Sequence, residues 1–169
     1  MREYISLLLI VIVLSGCGTT MVINPQTPKY NGATDFKIKG KVVYKGNREY
    51  LPKTIKDDLN SVSAVVLRYE YDVTYGRDDV HQAVPLFNPL TVVGFPIGED
   101  TLATCGRLEI LKGEKILKSY AACCAFQKTR GLFYEGETFS ELRKKGLLEV
   151  RNNIEMQMYQ DKDFLMKLE

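Results

Sequence analysis

Leu102 to Gln127 reads LATCGRLEILKGEKILKSYAACCAFQ, and this stretch decides the fold class. Two strand-forming runs, Leu102 to Leu111 and Ile116 to Gln127, flank Lys112-Gly113-Glu114-Lys115. Glycine at the first of two loop positions is the preference of a type II′ hairpin turn, which sets Lys112 opposite Lys115. Carried along the strands, that register puts Glu109 opposite Lys118, a favourable charge pair, and Ile110 opposite Leu117. The buried face is then expected to carry Leu108, Ile110, Leu117, Ala121 and Cys123, and the other face Arg107, Glu109, Lys118 and Tyr120. In this register Cys105 lies opposite Ala122 and diagonal to Cys124. A three-residue loop would instead bring Cys105 opposite Cys123. A Cys105–Cys123 disulfide thus stands as an alternative to small buried thiols, the reading this register favours. Adjacent Cys123 and Cys124 point to opposite sides of a strand and form no CxxC motif.

Working outward, Asp35 to Tyr44 alternates Phe36 and Ile38 with Lys37 and Lys39, the pattern of a strand with one solvated face. Ser63 to Tyr75 is rich in β-branched and aromatic residues. It places Val65, Leu67, Tyr69, Tyr71 and Val73 on one side, opposite Arg68, Glu70, Asp72 and Thr74. A strand near the sheet centre is expected there, and a short helix at Thr54 to Asn60. Downstream, Thr138 and Glu141 have capping-box spacing. Phe139, Leu142, Gly146, Leu147, Val150, Ile154 and Met158 then share one helical face. Arg143 falls inside that arc and is expected to snorkel outward, while Glu141 and Lys145 have the spacing of an i,i+4 pair. The fold class that follows is α+β. It is a two-layer domain over residues 35–169, with a mostly antiparallel sheet of four or five strands and the long C-terminal amphipathic helix packed on one face.

The chain has 169 residues, 45% apolar and 26% charged, the make-up of one folded domain rather than a disordered segment. Lys plus Arg is 23 against 21 for Asp plus Glu, and no basic clustering offers a nucleic-acid footprint. At the N-terminus, Arg2 precedes an apolar run from Ile5 to Leu14. A bilayer-spanning helix needs about 20 apolar residues, so the run suits the core of a secretory signal instead.

The four residues after that core, Leu14-Ser15-Gly16-Cys17, resemble the lipobox of bacterial lipoproteins. The resemblance implies a diacylglyceryl thioether on Cys17, cleavage between Gly16 and Cys17, and acylation of the new amine. Residues 1–16 would be the signal, and no cofactor is implied beyond the covalent lipid. Gly18 stands where lipoproteins retained in the inner membrane of enteric bacteria usually carry Asp. The resemblance therefore leans towards an outer-membrane anchor facing the periplasm. Residues 17–34, with Pro25 and Pro28, read as the lipidated N-terminus and a flexible tether reaching about 20–25 Å.

Signals for chemistry are sparse. His81 is the single imidazole, and the acidic pairs Asp57-Asp58, Asp78-Asp79 and Glu99-Asp100 lack calcium-loop spacing. The sequence offers no metal site and no catalytic set. Val84 to Gly98 (VPLFNPLTVVGFPIG) is apolar, proline-rich and without sustained periodicity. It reads either as a connection folded over the core or as an exposed loop presenting Leu86, Phe87, Val92, Val93 and Phe95 to a partner. Two functions follow as expectations. The first is a lipid-anchored, non-enzymatic module that binds an envelope protein. The second is a periplasmic small-ligand binder or enzyme whose pocket between helix and sheet has Tyr69, Tyr71, Tyr75 and His81 at its mouth.

Overall fold

A computed structural model describes residues 18–28, 36–58, 65–77, 98–130 and 137–168. In chain order the elements are β1 (Thr19–Asn24), β2 (Ile38–Val43), a 3-10 turn (Arg48–Tyr50), β3 (Ile55–Asp57), β4 (Val65–Arg77), β5 (Gly98–Lys112), β6 (Lys115–Arg130), α1 (Phe139–Gln160) and α2 (Lys162–Leu165). The strands form one six-stranded sheet in the order β1-β6-β5-β4-β2-β3. The pairs β1–β6, β6–β5 and β5–β4 are antiparallel, whereas β2 lies parallel to both β4 and β3. The α+β class and the helix laid on one sheet face are as the periodicity predicts. The sheet itself is larger than the expected four or five strands, and it is mixed.

Two segments account for the difference. Thr54 to Asn60, expected as a short helix, contains β3, and the helical turn sits earlier at Arg48–Tyr50 under an Asn47 side-chain cap. Ile55 and Thr54 are buried beside Ile38, so burial overrides the polar local composition. Residues 44–54 supply the crossover that a parallel pair requires. The second segment is the expected flexible tether. Thr19–Asn24 is instead an edge strand paired with β6, its Thr, Val and Ile residues suited to a pleated surface. Pro25 follows, and its carbonyl accepts a 2.6 Å hydrogen bond from Asn153 Nδ2 on α1. This part of the N-terminal segment therefore belongs to the folded domain.

The hairpin opens as the turn chemistry predicts. Lys112 faces Lys115, Leu111 faces Ile116, and Gly113 has a positive φ of 62°. A β-bulge then falls between Ile110 and Leu111, and Ile110 pairs with Lys118 rather than Leu117. From that point the strand faces are exchanged, because one residue of slip inverts every side chain. Tyr120, Ala122, Cys124 and Phe126 lie under the helix, while Ala121 and Cys123 are exposed on the opposite face. The magnitudes explain the choice. The uninterrupted register would turn Tyr120 and Phe126 to water, and burying an aromatic ring is worth about 1.5–3 kcal/mol. An interrupted ladder bond costs only about 1 kcal/mol.

The same shift brings Cys105 opposite Cys123, and the two form a disulfide. The preference for free thiols at these positions is thus corrected, because the two-residue turn is kept and the bulge supplies the extra residue. Cys124 remains a free, buried thiol whose pKa burial pushes up to about 11. Glu109 meets Arg68 at 3.4 Å and Arg107 at 3.5 Å rather than Lys118. Lys118 instead pairs with Asp161 at 2.7 Å.

α1 starts with the predicted capping box. The Glu141 amide donates to Thr138 Oγ1 at 3.2 Å, and the Thr138 amide donates to the Glu141 carboxylate at 2.8 Å. That carboxylate is thereby occupied, and Lys145 pairs with Glu137 at 3.4 Å instead of with Glu141. Leu142, Gly146, Leu147, Val150, Ile154 and Met158 are buried as expected, and Arg143 is exposed. Gly146 permits close approach to the sheet. A Cβ there would lie 2.5 Å from Thr104 Oγ1 and 2.9 Å from Phe126 Cε2.

Candidate functional site

β2 leaves β4 after the Val43–Arg68 pair, and the chain then turns across the sheet edge. The alternation of β4 aims Tyr69 and Tyr71 towards the helix side, where the departing Tyr44 and the 3-10 turn's Tyr50 meet them. Ring centroids are 5.3 Å apart for Tyr44–Tyr69, 6.4 Å for Tyr44–Tyr71 and 6.1 Å for Tyr50–Tyr71. Alongside them is a shallow depression of about 420 Å³ lined by Val43, Tyr44, Lys45, Arg68, Tyr69, Glu70 and Tyr71. Burial, reinforced by Tyr71 and Tyr50, pushes the Tyr44 phenol up to about 12. Tyr69 is raised further by its own burial.

α1 closes the inner side of this cluster. Arg151 Nη1 donates to the Glu49 carbonyl at 2.7 Å, and Lys144 pairs with Glu49 at 3.3 Å, fastening the 3-10 turn to the helix. Glu155 is fully buried, and one of its oxygens accepts the Lys53 amide. Its other oxygen and the Tyr69 hydroxyl are buried without a hydrogen-bond partner among the described residues. An orphaned buried polar atom costs about 1–3 kcal/mol, so these two groups are the least satisfied part of the interior. Sequence patterning did not signal Glu155 or Asn153, since both lie beside the apolar arc and their partners come from distant segments. Glu155 meets Lys53, and Asn153 meets Pro25.

The depression is lined from β2, β4 and the residues just after β2, with none from α1, so it is not the expected pocket between helix and sheet. Tyr69 and Tyr71 do come together, joined by Tyr44 and Tyr50. Tyr75 lies apart and packs edge-on against Phe139 at 5.6 Å. His81 is outside the described residues, as are Gly16, Cys17 and the loop residues Leu86, Phe87, Val92, Val93 and Phe95. The flanks of that loop segment, Arg77 and Gly98, end neighbouring strands at one end of the sheet. A second depression, of about 570 Å³, separates β1 from α1 and is lined in part by Met21, Ile23, Asn152 and Asn153. Among the described residues no cluster of three metal-ligating side chains occurs, and no helix is long and apolar enough to cross a membrane.

No known protein family matches this chain, and no curated protein matches it. The functional reading rests on its own residues.

The sheet face opposite α1 is the other surface of note. It carries Arg68, Arg107 and the Cys105–Cys123 disulfide, beside Ala121 and Ala125, which are exposed. The arginines converge on Glu109, which is nearly buried between them. The disulfide crosses β5 and β6 at mid-sheet and ties together the two strands that present most of this face.

Proposed function

We propose that the protein is a bacterial lipoprotein held to the cell envelope by acyl chains on Cys17. Its domain acts as a non-enzymatic interaction or assembly module for another envelope protein, at the outer membrane on the periplasmic side. One observation supports this reading above the others. The lipobox Leu14-Ser15-Gly16-Cys17 is followed after a single residue by a strand of the main sheet, so the anchor leads directly into the folded domain. Two or more acyl chains give stable attachment where one holds only marginally. The segment carrying Leu86, Phe87, Val92, Val93 and Phe95 is the proposed contact, together with the exposed residues Arg68, Arg107, Ala121 and Ala125 of the sheet face opposite α1.

Cys17→Ser is the first test and is expected to leave an unacylated precursor. A variant that still fractionated as a mature acylated protein would remove the anchor. Photo-crosslinkers placed in living cells at Phe87 and Ala125, with Lys144 as the control position, test the module. A discrete adduct from Phe87 or Ala125 but not from Lys144 is the expected result.

A second reading is favoured by the Tyr69 hydroxyl, which has no hydrogen-bond partner among the described residues and whose ring lines the depression, and by the one Glu155 oxygen left over from the Lys53 contact. It makes the domain a small-ligand binder or an enzyme. Absence of any adduct, together with a Tyr44→Phe or Tyr71→Phe variant that loses binding to a small-molecule library hit, would bring this reading forward.

A further inference from the structure

We propose that one end of the sheet, formed by the start of β1, the end of β6, the start of β5 and the N-terminus of α1, is the end nearest the phospholipid bilayer. The domain then stands upright, with the Gly113-Glu114 turn pointing away. This orientation rests on the reading of Cys17 as the lipidated residue.

The length of chain before the fold carries the inference. The Thr129 amide donates to the Gly18 carbonyl at 3.4 Å, and Thr19 pairs with Lys128, so the sheet begins at the residue after Cys17. Consecutive Cα atoms are about 3.8 Å apart. A flexible spacer of some sixteen residues would lift a domain roughly 20–25 Å; a single glycine lifts it by almost nothing. With the acyl chains in the hydrocarbon, the backbone of Cys17 is at headgroup level, and the sheet end joined to it is there too.

The register identifies what else lies at that level. Thr19, Lys128, Asp100 and Arg77 pair in turn across β1, β6, β5 and β4. Lys128 Nζ donates to the Glu137 carbonyl at 2.7 Å, which holds the N-terminus of α1 at the same end. Two residues further up, Met21, Phe126, Leu102 and Tyr75 form the next row on the helix side. The two outer members of that row are exposed, Met21 to 43% and Tyr75 to 52%. A tyrosine with a polar tip and an apolar body suits the water–lipid boundary, and Tyr75 is braced there by Phe139. Ile116, equally exposed, sits by the hairpin turn opposite Leu111. From Leu102 to Leu111 along β5 is about 30 Å at strand rise.

The chain contains no tryptophan, so single reporters measure height directly. Tyr75→Trp, Met21→Trp and Ile116→Trp are placed one at a time in the full lipid-anchored protein. The vesicles are of phosphatidylethanolamine and phosphatidylglycerol containing a dansyl-headgroup lipid. Energy transfer is expected to remove on the order of half the emission of the Tyr75→Trp and Met21→Trp reporters, which sit near the headgroups, and little of the Ile116→Trp emission, about 30 Å higher. Met21→Trp occupies the same row as Tyr75→Trp, so the test survives if one substitution disturbs folding. Equal transfer at all three positions, or the strongest transfer at Ile116→Trp, overturns the upright orientation. Intact mass reads the anchor separately. An acylated protein with the wrong transfer pattern overturns the orientation alone, whereas an unmodified Cys17 overturns the anchor and the orientation with it.

Discussion

Replacing Gly146 by alanine sets two physical effects of opposite sign against each other. In an isolated helix interior the change stabilises by about 0.8–1.0 kcal/mol, through lower backbone entropy in the unfolded chain. In this domain the added Cβ would lie 2.5 Å from Thr104 Oγ1, 2.9 Å from Phe126 Cε2 and 3.1 Å from Thr104 Cγ2. Overpacking of that kind costs about 1–3 kcal/mol. Thr104 is fully buried, and its hydroxyl donates to the Cys124 carbonyl at 3.2 Å. Pushing the hydroxyl aside adds about 1–3 kcal/mol for polar groups left unpaired. The net expectation is a loss of about 3 kcal/mol, which for a domain of this size lowers Tm by roughly 6–12 °C. Urea unfolding of four proteins measures it: wild type, Gly146→Ala, Thr104→Ala and the double variant. In the Thr104→Ala background the glycine substitution should cost much less, since two of its three close contacts are gone. A Gly146→Ala protein more stable than wild type would refute the close approach of α1 to the sheet. An equal cost in both backgrounds would refute Thr104 as the neighbour that resists.

Two further outcomes follow from the sheet and the helix end. The Cys105–Cys123 bridge spans a sequence separation of 18, and closing a loop of that length stabilises by about 3 kcal/mol in the chain-entropy account. The Cys105→Ala/Cys123→Ala protein should therefore unfold at clearly lower urea concentration, and added reductant should shift the wild type but not the double variant. Asp161 is held below the usual carboxylate range by the Lys118 ammonium at 2.7 Å and also by the Tyr120 hydroxyl. A depressed folded-state pKa gives stability that is full above the unfolded value of about 3.9 and is lost as pH falls through the folded value. Asp161→Asn should thus flatten the acid limb of stability below about pH 4 in urea titrations; an unchanged limb would show that the pair contributes nothing.

Local pattern was sufficient wherever a residue's role depended on its near neighbours in the chain. The alternation of Val65, Leu67 and Tyr69 against Arg68 and Glu70 announces β4. The spacing from Leu142 to Met158, with the Thr138–Glu141 box, announces α1, and Gly113 announces the turn. The run Leu14-Ser15-Gly16-Cys17, on which the proposed anchor rests, is likewise read within four consecutive residues.

What only the tertiary structure decided is non-local. β1 and β3 are short, and neither has enough pattern to be recognised without the strand beside it. Parallel pairing of β2 with β4 depends on a crossover that no local spacing encodes. The hairpin register was settled by the fit of Tyr120 and Phe126 under α1, an energy belonging to three elements at once, and the disulfide followed from it. Glu155 and Asn153 became buried polar groups because Lys53 and Pro25 arrive from about a hundred or more residues away. A turn or a helix cap is determined over a few residues, and sequence alone announces it. Register, strand number and buried polar partners minimise the free energy of the packed whole, so only the assembled sheet and helix determine them.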